Sequence, residues 1–63
     1  MNKSLVELIK QYNSKYRKFL IMNNNTYQVL KRELGMEEYE ELTNYKNLTI
    51  CVSLDDSISI ILV

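Results

Sequence analysis

Phe19-Leu20-Ile21-Met22-Asn23-Asn24-Asn25 is the stretch on which the fold turns. Four apolar residues in a row, closed by three asparagines and opened by Arg17-Lys18, are too few for a buried helix and suit a strand. A strand apolar toward both of its faces belongs in the middle of a sheet, covered on each side. Asparagine side chains accept hydrogen bonds from the first free N–H groups of a helix. The triplet therefore announces a second element at once, with Asn25 and Gln28 at capping-box spacing and Asn24 as the other cap. Along that helix Tyr27, Leu30, Lys31 and Leu34 form one stripe, and Gly35 stands where a left-handed residue ends a helix.

Upstream, Ser4-Leu5-Val6-Glu7 reads as a capping box, and Leu5, Leu8, Ile9, Tyr12 and Tyr16 share one helical face. This helix is expected to end between Ser14 and Tyr16. Downstream, Met36 to Tyr45 is acidic, with Met36, Tyr39 and Leu42 spaced by three, and is read as a helical turn or a structured loop. The last sixteen residues alternate: Leu48, Ile50 and Val52, then Ile58, Ile60 and Leu62, separated by polar or small residues. The alternation predicts a β-hairpin with a loop over Leu54 to Asp56, Asp56 left-handed, pairing Val52 with Ile58, Ile50 with Ile60 and Leu48 with Leu62. The expectation is an α+β fold in one domain, residues 1–63: helix, strand, helix, C-terminal hairpin, three strands in one sheet, both helices on one face. The outer face then shows Thr49, Ser53, Ser57 and Ser59 together with apolar Ile61 and Val63, which suits an edge strand packing on a second copy.

Composition narrows the chemistry. There is no histidine, one cysteine (Cys51) and one glycine, so a disulfide within the chain, a Cys/His zinc site and a glycine-built phosphate loop are all excluded. No base stands ready for a serine or cysteine nucleophile, and Glu37, Glu38, Glu40 and Glu41 read as a solvated face. No catalytic, cofactor or metal residues are assigned, and the protein is expected not to be an enzyme. A domain this small buries only about 60% of its unfolded surface, and with disulfide and metal removed, self-association is the remaining way to add stability. The start of the chain, interrupted by Glu7 and Lys10, contains no apolar targeting or membrane-spanning stretch, and the expected compartment is the cytoplasm.

Charge is balanced in total but not along the chain. Residues 1–32 hold Lys3, Lys10, Lys15, Arg17, Lys18, Lys31 and Arg32 against Glu7, net +6. Residues 33–63 hold Glu33, Glu37, Glu38, Glu40, Glu41, Asp55 and Asp56 against Lys46, net −6. Two halves packed together cancel much of this field, whereas halves kept apart give a polarised surface able to steer a partner. Lys15, Arg17 and Lys18 around Tyr16, joined by Lys31 and Arg32, form a candidate partner-binding patch, and Ile61 with Val63 a second. A protein partner is expected, with nucleic acid the alternative on the basic patch.

Residues 19–34, FLIMNNNTYQVLKREL, and 45–50, YKNLTI, resemble a pattern of tailed-phage capsid and accessory proteins. In that pattern a strand ends in Met-Asn, a Thr-Tyr pair opens a helix, and a later tyrosine leads into an apolar strand. Met22-Asn23, Thr26-Tyr27 and Tyr45 to Ile50 match in order, with Asn47 standing where that family places glycine. The resemblance implies a phage or prophage accessory protein that binds another protein, including a stoichiometric inhibitor of a host enzyme or defence complex, in the host cytoplasm. A piece of a virion is the structural alternative, and no functional residue carries over.

Overall fold

A computed structural model describes residues 4–63. Ser4 caps the first helix, α1 (Leu5–Tyr12), its Oγ accepting from the Glu7 N–H at 3.2 Å, the serine half of the expected capping box. The helix stops at Asn13, earlier than its apolar pattern suggests. Asn13 turns to extended backbone while its Oδ1 accepts from the Ser14 N–H at 2.8 Å, a local bond that competes with another helical turn. Tyr16 is thereby lost to the buried face, and of the predicted stripe Ile9 alone is fully buried.

Strand β1 (Phe19–Asn23) runs directly into helix α2 (Asn24–Glu33) with no loop between. The cap is Asn23, not Asn24 or Asn25. A capping residue needs extended dihedrals, and the last residue of a strand already has them (φ −78°, ψ 172°). Its Oδ1 accepts from the Thr26 N–H at 2.8 Å, while Nδ2 donates to the Asp56 carbonyl at 3.3 Å. Gly35 ends α2 at φ +74°, with its own N–H on the Arg32 carbonyl and the Met36 N–H on the Lys31 carbonyl, the Schellman pair expected of a glycine in that place.

The acidic segment then supplies an element that its sequence conceals. Asn44–Tyr45 is a two-residue strand, β2, which turns through Lys46 and Asn47 into β3 (Leu48–Ser53). Lys46 is the non-glycine with positive φ (56°) among the described residues; Asp56, expected to be left-handed, is not. Asn47 anchors this turn to the chain between α1 and β1: its Nδ2 reaches the Ser14 and Arg17 carbonyls at 3.0 and 2.8 Å, and its Oδ1 accepts from Asn13.

The last strand, β4 (Ile60–Leu62), does not pair with β3. The sheet has four strands in the order β2-β3-β1-β4, and β1 lies between the two strands expected to form a hairpin. It is parallel to β3, with Leu20 beside Ile50 and Met22 beside Val52, and antiparallel to β4, with Leu20 beside Leu62 and Met22 beside Ile60. Residues 54–59 cross the end of β1 instead of closing a tight loop, and Ile58 is outside any strand. The crossing has its own structure. Asp55 accepts from both the Ser57 hydroxyl and the Ser57 N–H, bonds that hold its carboxyl below the usual carboxylate range, and the Asn23 amide grips Asp56 from beneath.

Both helices lie on one face. Ile9 of α1, Leu30 of α2, Leu20 and Met22 of β1 and Leu48 of β3 are completely buried, ringed by half-buried neighbours that include Leu5, Tyr27, Ile50 and Leu62. Glu33, the last residue of α2, joins the helices by placing its two carboxylate oxygens 3.0 and 3.2 Å from the Leu5 and Val6 N–H groups, where the positive end of α1 favours an anion.

Asn23 serves helix, strand and crossing at once, so Asn23→Ala is expected to destabilise the fold by about 1–2 kcal/mol, a lost cap plus the lost bond to the Asp56 carbonyl. Asn23→Asp, which keeps the cap acceptor and loses the donor, should cost less. Urea unfolding of the three proteins measures the order.

Candidate functional site

Side chains alternate across a strand, so the residues of β1 that do not enter the core point to the other side of the sheet. Phe19 and Ile21 do so, flanked in register by Thr49 and Cys51 of β3 and, on the other side, by Ile61 of β4. Val63 extends the row, exchanging two backbone hydrogen bonds with Phe19 at 3.0 and 2.9 Å. The result is two lines across the sheet, Thr49-Phe19-Val63 and Cys51-Ile21-Ile61, on the face that neither helix covers. Phe19, Ile61 and Val63 remain 43, 42 and 53% exposed, while Ile21 and Cys51 are half-buried among them. Neither line contains a charged side chain. With two lines two residues apart on three adjacent strands, the patch spans roughly 7 by 10 Å between α-carbons, a small apolar surface on the uncovered side of the sheet.

Ile61 and Val63 thus lie exposed on the outer face of the sheet, but beside Phe19 and Ile21 and not on a hairpin. Those two were missed. The signal was present, because two helices expected on one face leave the second apolar face of this strand without a cover.

The basic candidates separate. Lys15, Arg17 and Lys18 lie exposed between α1 and β1, where Lys15 Nζ sits 5.2 Å from the Tyr16 ring and Arg17 Nη1 donates to the Leu62 carbonyl at 3.1 Å. Arg32 is exposed in the last turn of α2. Lys31 does not join them: it is 3% exposed, 5.1 Å from the Tyr27 ring, with Nζ donating to the Glu38 carbonyl at 2.7 Å. An aromatic face and a carbonyl satisfy this ammonium inside the fold, which removes it from any surface patch.

Tyr27 works beside Lys31. Its hydroxyl accepts from the Leu42 N–H at 2.9 Å, so the two α2 side chains hold the acidic segment at both ends. Between α2, residues 38–43 and β3 opens a cleft of about 530 Å³, with Tyr27, Gln28 and Lys31 on one wall and Ile50 and Val52 opposite. Among the described residues, no group of three or more histidine, cysteine or acidic side chains is placed to hold a metal ion, and no helix is long and apolar enough to cross a membrane.

No family model matches the chain, and no curated protein or solved structure is significantly similar to it.

Removing the Tyr27 hydroxyl should release the acidic segment without unfolding the core. Tyr27→Phe is expected to cost about 1 kcal/mol and to speed hydrogen exchange at the Leu42 amide far more than at Leu20 or Met22.

Proposed function

We propose that this chain is a non-enzymatic protein-binding module that works as a homodimer through its uncovered sheet face. The observation that carries the reading is the apolar surface of Phe19, Ile21, Ile61 and Val63, none with a charged side chain, on a domain whose fully buried core, among the described residues, is five side chains. A second copy is the occupant that the chemistry favours. An uncharged apolar face is complementary to itself, and pairing two of them adds the burial that a chain without disulfide or metal cannot obtain internally. The edge strand β4 lies at the border of the patch, so two copies can also meet edge to edge. The patch is smaller than the ~800 Å² per partner of a standard stable interface, and the pair is accordingly weak and exchangeable, as suits a module that gives up its own copy for another protein. Occupying the surface of a host enzyme as a phage accessory protein is the wider form of this reading and rests on the sequence likeness alone. The nucleic-acid alternative loses Lys31 from its basic patch, and Arg17 is already committed to the Leu62 carbonyl.

Light scattering across a concentration series tests the proposal. The mass should climb from 7.5 kDa toward twice that value, and added salt should leave the climb intact because apolar contacts drive it. Ile61→Glu should hold the chain at monomer mass with its fold retained. A wild-type monomer at every concentration would contradict the reading, as would a dimer that Ile61→Glu leaves unchanged.

A further inference from the structure

The cleft beside α2 offers something the sheet face does not: a strand edge without a neighbour. In β3 the Thr49 N–H points to β1, where it meets the Lys18 carbonyl at 2.8 Å, and the Ile50 N–H points the other way, to the Thr43 carbonyl at 3.0 Å. Strand geometry then turns the Val52 N–H to the same side as that of Ile50. Continued in register, β2 would bring Leu42 and Glu41 alongside Cys51 and Val52. It does not continue: before Thr43 the chain is drawn off toward α2, where the Leu42 N–H donates to the Tyr27 hydroxyl. The edge of β3 at Val52 is left facing the cleft, and the Val52 side chain is 45% exposed there.

The lining of the cleft sets the chemistry of what fits. Ile50 and Val52 give an apolar floor, and Glu38, Glu40 and Glu41 form the far wall. The one cation among the lining residues, Lys31, has its ammonium on the Glu38 carbonyl, so it does not neutralise those carboxylates by direct pairing. Glu40 is partly engaged with the Glu37 N–H. Glu38 and Glu41 remain to meet a positive charge.

We infer that this cleft binds an extended cationic peptide, which adds a strand to the free edge of β3 and sets its basic side chains against Glu38 and Glu41. Backbone bonds to the Val52 edge supply the affinity and the acidic wall selects the charge, the division of labour seen wherever a peptide extends a sheet. The site is separate from the Phe19-Ile61 face, on the other side of the sheet.

The probe is a fluorescent heptapeptide of alternating lysine and valine, titrated by anisotropy and by amide chemical shifts. Binding is expected with the largest shifts at Ile50, Val52 and Leu42. A glutamate-valine peptide should bind at least tenfold more weakly, and so should the lysine-valine peptide N-methylated at alternate amides, which tests strand addition without altering the protein. Combining Glu38→Gln with Glu41→Gln, both at exposed positions, should weaken the lysine peptide about tenfold and remove most of its salt dependence. No binding at millimolar peptide, equal binding of the acidic or N-methylated peptides, or shifts confined to Phe19, Ile21 and Ile61 would each overturn the inference. The last outcome would leave the sheet-face reading standing, while failure of dimerisation would leave this one standing.

Discussion

Phe19–Met22 is apolar toward both faces of the sheet, and such a strand shields its side chains best with a neighbour on each edge. That requirement places β1 between β3 and β4 and governs most of the fold. Leu20 and Met22 face the helices and are completely buried; Phe19 and Ile21 face away and find only strand neighbours, so the cover is half complete. The same requirement makes the chain cross over the end of β1 between β3 and β4, and parallel pairing of β1 with β3 makes α2 the crossover between them.

Polar side chains hold these crossings where a core of five fully buried apolar residues, among those described, cannot. Asn23 ties the start of α2 to Asp56, Tyr27 and Lys31 tie α2 to the acidic segment, Glu33 ties the end of α2 to the start of α1, and Asn47 ties the β2-β3 turn to the chain before β1. Apart from the Lys31–Glu38 bond, each of these links spans fifteen or more positions along the chain. The +6 and −6 halves meet through such bonds more than through opposed charges: Glu33 neutralises a helix terminus, and Lys31 finds a carbonyl and a ring. An amide or hydroxyl accepts this role at lower desolvation cost than an ion pair.

Local features were legible in the sequence and long-range pairing was not. The Ser4 cap, a central strand at Phe19–Met22, α2 with its glycine stop, and strands at Leu48 and near Ile60 all follow from spacing and propensity. The hairpin failed because alternation in two nearby segments says that both are strands without saying which strand lies between them. A three-stranded sheet has one central place, and a hairpin of the last two strands would have pushed FLIMN to an edge, against its own apolar composition. β2 escaped notice because two residues, Asn44 and Tyr45, carry no periodicity. The surfaces divide in the same way. Ile61 and Val63 showed as unexplained apolar residues at the chain end, whereas the free edge of β3 depends on where the Tyr27 hydroxyl goes, a contact fifteen positions away along the chain that no pattern encodes.

The open face, the crossing and the free edge all depend on β1 lying between β3 and β4, and proton NMR reads that arrangement directly. Non-hydrogen-bonded antiparallel partners bring their α-carbons to about 4.5 Å, so strong Hα–Hα cross-peaks are expected between Leu20 and Leu62 and between Met22 and Ile60. Cross-peaks joining Ile50 to Ile60 or Val52 to Ile58 in their place would mean that the last two strands form a hairpin and that β1 is not the central strand.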